Sequence, residues 1–148
     1  MEVILAESAG FCPGVQRAVN LVYDQTKKET GCPVYTYGPI IHNDEVVRDL
    51  ESKGVTVIHG LDELDKLERG IVVIRSHGVT REVYETIEAK GFQIVDATCP
   101  FVKRIHNTVE EQGKKGRDII IIGNPDHPEV QGIRGWCVTP SVVIQKQE

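Results

Sequence analysis

The stretch that starts at Phe92 reads Phe-Gln-Ile-Val-Asp-Ala-Thr-Cys-Pro-Phe-Val and ends at Val102. An apolar run there leads through a Cys-Pro pair into helical spacing, which is typical of a strand followed by a helix. A second apolar run near the start of the chain leads into Gly10-Phe11-Cys12-Pro13-Gly14-Val15 in the same way. A cysteine at such a junction lies at the positive end of a helix dipole, which favours the thiolate. Cys12 and Cys99 are therefore predicted to be duplicated ligands of a metal or cluster.

Short apolar runs alternate with amphipathic segments along the whole chain, which predicts an α/β fold of mostly parallel sheets flanked by helices. The predicted strands are 2–6, 34–37, 55–58, 71–74, 92–95, 118–122 and, less clearly marked, 141–144. The predicted helices are 15–28, 44–53, 62–67, 81–90 and 102–115, with a weak turn after Pro128. Asn43 and Thr80 are placed to act as N-caps.

The two Cys-Pro junctions divide the chain into predicted units. Residues 1–98 form one complete α/β unit, and residues 99–148 form a second unit with too few strands to be complete. A length of 148 residues fits one domain, or one and a half.

The composition excludes some classes of function. A formal net charge of −5 argues against a general nucleic-acid binder, which carries a basic surface. The sequence contains no signal-peptide pattern and no apolar stretch of membrane-spanning length, so a cytoplasmic protein is expected. Cysteines in that compartment are more often metal-binding or catalytic than disulfide-bonded.

Chemically active residues follow five different predicted strands. They are Cys12, His42, His77, Cys99 and the turn His127-Pro128-Glu129. Ligands of open α/β sheets bind beyond the carboxyl ends of the strands, so these residues are predicted to share one edge. The remaining cysteines, Cys32 and Cys137, precede strands and are predicted to be ordinary thiols on the opposite edge.

The residue types at this edge indicate its chemistry. Widely separated single cysteines fit an iron–sulfur cluster better than a zinc finger, whose cysteines come in close pairs. Three imidazoles and several helix N-termini suit a phosphate or diphosphate. His127 and Glu129, held on a Pro-stiffened turn, suit proton delivery. The other two histidines, His59 and His106, are predicted to be surface or satisfied side chains.

The motifs together resemble the N-terminal half of the 4-hydroxy-3-methylbut-2-enyl diphosphate reductase family, and the resemblance extends over essentially the whole chain. Its matching segments, in the order of the family, are Gly10–Val15, Ile41–Asn43, Ser76–Val79, Asp96–Pro100 and Gly123–Gly132.

The resemblance implies three α/β units around a pseudo-threefold axis, each giving one cysteine to a central [4Fe–4S] cluster. Cys12 and Cys99 would be two of these ligands, His42, His77 and His127 would surround the diphosphate, and Glu129 would deliver protons. The implied reaction removes the substrate hydroxyl as water, gives isopentenyl and dimethylallyl diphosphates, and draws electrons from a ferredoxin or flavodoxin.

The chain is about half as long as members of that family, and the third cysteine is implied to lie in the missing half. A fragment with little activity alone is therefore expected, unless a companion chain or self-association replaces the missing part. Two other readings stay open: a non-catalytic phosphate-binding α/β module, and a zinc hydrolase using Cys12, Cys99 and one histidine of this edge.

Overall fold

The computed structural model describes residues 2–28 and 31–146 of the chain. Within these residues the α-helices are α1 (Pro13–Thr26), α2 (Asp44–Ser52), α3 (Arg81–Ala89), α4 (Pro100–Lys114) and α5 (Pro128–Arg134). The strands are β1 (Val34–Tyr37), β2 (Val55–Ile58), β3 (Ile71–Ile74), β4 (Gln93–Asp96), β5 (Ile119–Ile122) and β6 (Ser141–Ile144). A short 3-10 helix covers Glu63–Lys66.

The first sheet has the strand order β2-β1-β3-β4, and all of its pairings are parallel. Its central strand β3 is buried along its whole length, and its side chains alternate between two cores. Ile71 and Val73 pack in the core beneath α1, whereas Val72 and Ile74 pack in the core with Ile87 of α3. A parallel strand covered on both faces explains why this run is continuously apolar. The prediction of an α/β fold is confirmed.

The second sheet consists of the parallel strands β5 and β6, and α4 lies against β5. Alternate residues of both strands are strongly exposed, among them Ile120 at 67% and Ile122 at 85%. One face of this sheet therefore bears unpacked isoleucine and valine side chains in the described part of the chain. The predicted pseudo-threefold architecture and the unit boundary at residue 98 stay predictions.

The predicted strand over residues 2–6 is wrong. In the structure this segment forms no strand, and Val3, Ile4 and Leu5 are each more than 80% exposed. An apolar run becomes a strand only when a neighbouring strand pairs with its backbone, and the described residues give it none. Two smaller corrections concern the residues after Pro128, which form helix α5 rather than a weak turn, and 62–67, which contain a 3-10 helix.

The capping predictions are confirmed. The Asn43 side chain accepts a hydrogen bond from Val46 N–H at 3.0 Å, and Thr80 accepts one from Val83 N–H at 3.4 Å. Helices α1 and α4 begin two residues earlier than predicted, because Pro13 and Pro100 occupy the first helical position, where a missing N–H costs little. In the described ranges we find no helix with the length and apolar character needed to cross a bilayer.

Candidate functional site

Backbone hydrogen bonds hold the segments after β1, β3 and β4 side by side. Ser76 N–H donates to Ile40 C=O at 3.1 Å, and Cys99 N–H donates to Ser76 C=O at 2.9 Å. These bonds continue the parallel ladder beyond the ends of the strands. They place the segments that carry His42, His77 and Cys99 at one edge of the first sheet, as ligand sites of open α/β sheets require.

Both cysteines of the repeated motif are helix N-caps. Cys12 precedes Pro13 of α1, Cys99 precedes Pro100 of α4, and neither thiol makes a capping hydrogen bond. The two helix starts adjoin: a methyl group at Gly14 would lie only 2.7 Å from Cys99 Sγ. Because Gly14 has no side chain, the Cys99 thiol can lie against the start of α1. Both thiols are free of disulfides and stand at positive helix ends, which suits thiolate ligands.

Three imidazoles from different segments meet next to these helix starts. The ring centroids of His42 and His77 are 4.3 Å apart, and His127 lies 6.2 Å from His42 and 5.9 Å from His77. His42 precedes the Asn43 cap of α2, and His127 is itself the N-cap of α5. Two helix N-termini thus accompany the three rings, a combination that favours an anionic ligand.

The His77 pKa is lowered to about 4, mainly by burial and further by the nearby His42, Arg75 and His127. His77 is therefore neutral at physiological pH. A negatively charged ligand would oppose these effects and raise the His77 pKa, since an opposite charge stabilises the imidazolium form.

A concavity of about 240 Å³ adjoins the imidazoles. It is lined by Phe11, Val15, Ile41, His42, Asn43, Ser76 and His77. Phe11 precedes Cys12 directly, so the concavity extends from the first cysteine segment to two of the three histidines. A small anionic ligand there would contact both the α1 start and the imidazoles.

His127 and Glu129 interact through the first turn of α5. The backbone N–H of Glu129 donates to His127 Nδ1 at 3.2 Å. Because Nδ1 accepts this bond, the proton of the neutral ring lies on Nε2, which is left to donate outward. The Glu129 side chain is half-buried in the same turn.

The described residues contain no group of three or more His, Cys, Asp or Glu side chains arranged to hold a metal ion. A zinc centre of Cys12, Cys99 and one histidine is therefore not supported. The two thiols at adjoining helix starts fit two corners of an iron–sulfur cluster in donor type, and further ligands would have to come from elsewhere.

Comparison with known proteins supplies the family. The sequence model of a family described as LytB protein matches residues 3–148. The chain belongs to the LytB protein family. Its curated relatives include the 4-hydroxy-3-methylbut-2-enyl diphosphate reductases of Caldanaerobacter subterraneus subsp. tengcongensis and of Clostridioides difficile. They are 50% and 42% identical over the whole chain, which covers 51% and 52% of their lengths.

Solved structures agree with this assignment. A structure of (E)-4-hydroxy-3-methyl-but-2-enyl diphosphate reductase, the terminal enzyme of the non-mevalonate pathway, matches 97% of this chain with a TM-score of 0.83 and 40% identity. The Plasmodium falciparum reductase matches 94% with a TM-score of 0.86 and 32% identity. The matches cover 51% and 43% of those chains. The LytB chain described here thus spans about half the length of its relatives.

The other two cysteines of the LytB chain lie away from this site. Cys32 is exposed just before β1, at the amino end of the sheet. Cys137 follows α5, and its thiol donates to Ile133 C=O at 3.5 Å. His59 is exposed after β2. The position of Cys32 agrees with the prediction that this thiol lies on the opposite edge, whereas the edge assignment of Cys137 stays a prediction.

The prediction that His106 is a surface or satisfied histidine is wrong. His106 is 2% exposed, and its Nε2 has no hydrogen-bond partner among the described residues. The ring stacks on Trp136, with centroids 5.5 Å apart and an interplanar angle of 15°. The sequence does carry the signal, because His106 continues the buried helical spacing of Val102, Val109 and Gly113 in α4.

Proposed function

We propose that this chain is the part of a 4-hydroxy-3-methylbut-2-enyl diphosphate reductase that binds the substrate diphosphate and part of an iron–sulfur cluster. The observation that carries the proposal is the meeting of three imidazoles beside two adjoining helix starts, each of which has a cysteine as its N-cap. The complete reaction is the reductive dehydroxylation of (E)-4-hydroxy-3-methylbut-2-enyl diphosphate to isopentenyl and dimethylallyl diphosphates, the last step of the non-mevalonate pathway.

His42, His77 and His127 are the proposed diphosphate ligands. Imidazole N–H groups can donate to phosphate oxygens, and the helix N-termini at His42 and His127 favour an anion. The half-buried His77, whose pKa is lowered to about 4, avoids the desolvation cost of a permanent charge in the free chain. Diphosphate binding should raise the His77 pKa from about 4, so that binding is accompanied by proton uptake. That uptake would add a charge-assisted hydrogen bond to the complex.

His127 and Glu129 are the proposed proton donors. Replacing a hydroxyl by hydrogen and releasing water consumes two electrons and two protons. The Glu129 N–H fixes the His127 ring through Nδ1, so Nε2–H points away from α5 and can donate. The Glu129 carboxyl, two residues further along the same turn, is the proposed source of the proton for the departing hydroxyl.

Cys12 and Cys99 are the proposed ligands of a [4Fe–4S] cluster. Such a cluster, when bound, supplies electrons and an open iron that acts as a Lewis acid on the hydroxyl oxygen. Its third ligand is proposed to come from a companion chain that carries the half of the relatives this chain does not span, or from a second copy of this chain. A ferredoxin or flavodoxin as electron donor and a cytoplasmic location belong to the same proposal.

Diphosphate binding is tested by calorimetric titration of the metal-free chain with inorganic pyrophosphate. We expect binding by the wild type and by the exposed-histidine control His59→Ala, and weaker binding by His77→Ala. Equal affinity of all three proteins would refute the assignment of the imidazoles.

Cluster binding is tested by anaerobic reconstitution with iron and sulfide, with and without the C-terminal half of the Caldanaerobacter relative. We expect the visible absorption of a cluster to depend on that half and on both Cys12 and Cys99. Cys32→Ser and Cys137→Ser are the matched controls and should reconstitute normally. If the chain binds pyrophosphate but forms no cluster under any of these conditions, a non-catalytic phosphate-binding module would be favoured instead.

A further inference from the structure

His106 lies beneath the turn that carries His77. Gly78 in that turn has a φ of +72°, and a methyl group on it would lie 2.6 Å from His106 Cε1. On the other side, a methyl group on Gly132 of α5 would lie 3.5 Å from His106 Nε2. The buried ring therefore fills the space between the β3–α3 turn and helix α5. The residue that comes closest to the ring is a glycine in each of these two segments.

Trp136 fixes the opposite side of this ring to the same turn. It directly follows Gly135 at the end of α5, stacks on His106, and donates its Nε1–H to Val79 C=O at 2.9 Å. The guanidinium carbon of Arg81 lies 4.7 Å from the indole ring. Helix α5 is thus attached through Trp136 to residues 79–81, directly after the His77–Gly78 turn.

Simple core filling explains this arrangement poorly. A buried ring nitrogen without a hydrogen-bond partner is costly, and an apolar side chain of similar size would avoid that cost. What distinguishes His106 is its position, because it touches the turn after His77 and the helix whose N-cap is His127. Displacing its ring would change the separation of those two imidazoles.

We propose that His106 and Trp136 are positioning residues that set the spacing between the His77 and His127 imidazoles. Their effect on ligand affinity rests on the proposed diphosphate site, whereas their effect on the spacing does not. The two residues act through the Gly78 turn and helix α5 and touch no substrate themselves.

The experiment compares His106→Leu, Trp136→Phe and the control Tyr84→Phe. The control residue also packs against Trp136, at 5.9 Å edge to face, and its hydroxyl pairs with Thr98 Oγ1 at 3.2 Å. Tyr84→Phe therefore removes one hydrogen bond beside Trp136 and leaves the bond from Trp136 to Val79 in place. Trp136→Phe keeps an aromatic ring and removes the hydrogen bond to Val79. If His106→Leu does not fold, Trp136→Phe alone tests the proposal.

NMR of the ligand-free chain provides the first readout. We expect the contacts between the His77 and His127 rings to weaken in both test variants, and the His77 pKa to rise from about 4 toward its usual value. Tyr84→Phe should leave both unchanged. Unchanged ring contacts and titration in a folded test variant, or equal changes in the control, would overturn the proposal.

Pyrophosphate affinity provides the second readout. It should fall about tenfold in the test variants, as expected when one charge-assisted hydrogen bond loses its alignment. If the wild type binds no pyrophosphate, the proposed function fails, and the ring contacts and titration still decide the positioning proposal.

Discussion

Acid should destabilise this protein through His106. Burial lowers the His106 pKa to about 4, while Asp96 raises it and Lys103 lowers it by smaller amounts. As the pH falls below the usual value of 6.5, the unfolded chain takes up a proton that the folded chain does not. The stabilisation is therefore fully present above that value and is lost as the pH falls toward 4.

The magnitude follows from the difference between the two pKa values. A shift from 6.5 to about 4 corresponds to roughly 3 to 4 kcal/mol in full, of which about three quarters, roughly 2 to 3 kcal/mol, is lost by about pH 4.5. His106 is 2% exposed, so solvent screening reduces this little. His77 acts in the same direction, but its contribution is smaller because it is only half-buried.

Urea unfolding at neutral and acidic pH measures this effect in the wild type and in His106→Gln. Carboxylates also titrate in this range, so the difference between the two proteins isolates His106. The variant should be less stable at neutral pH and should lose roughly 2 to 3 kcal/mol less on acidification to about pH 4.5. The exposed control His59→Gln should follow the wild type. Equal pH dependence of His106→Gln and the wild type would refute the reasoning.

Three further predictions concern the cysteine site, the helix caps and the second sheet. Gly14→Ala should keep the fold but hinder reconstitution of the iron–sulfur cluster, since the new methyl group meets Cys99 Sγ. The control is Asn20→Ala on the exposed face of α1, and an unchanged cluster yield in Gly14→Ala would contradict the prediction. Asn43→Ala should cost about 1 kcal/mol in chemical unfolding, and no loss would mean that the cap bond is absent in solution. Ile122→Lys should change the stability of this chain by less than about 0.5 kcal/mol, because its side chain is exposed; a large loss in thermal unfolding would show that this face is covered.

The strands that the sequence predicts well are those that find a partner strand in the fold, and β1, β2, β3 and β6 all have the predicted bounds. The bounds of β1 and β3 agree with the prediction because both are β-branched or aromatic runs that end at a glycine or at polar residues. Residues 2–6 show the same local pattern and form no strand. The local sequence pattern shows that a segment is able to form a strand. Whether the strand forms depends on a partner strand from another part of the chain.

The same distinction applies to the site. The sequence could place Cys99 and His77 at one edge, because the end of a parallel strand defines where the next residues lie. The helical spacing of α4 indicates that His106 is buried, but it does not reveal what the ring contacts, since Gly78, Gly132 and Trp136 are distant along the chain. The spacing of the imidazoles depends on such contacts between segments.

The convergence of Cys12 and Cys99 is tested most directly by cross-linking the metal-free chain with dibromobimane, which fluoresces when it bridges two nearby thiols. We expect one fluorescent product, in which peptide mapping joins Cys12 to Cys99. Modification of these two thiols only singly, or bridges from either of them to Cys32 or Cys137, would contradict it.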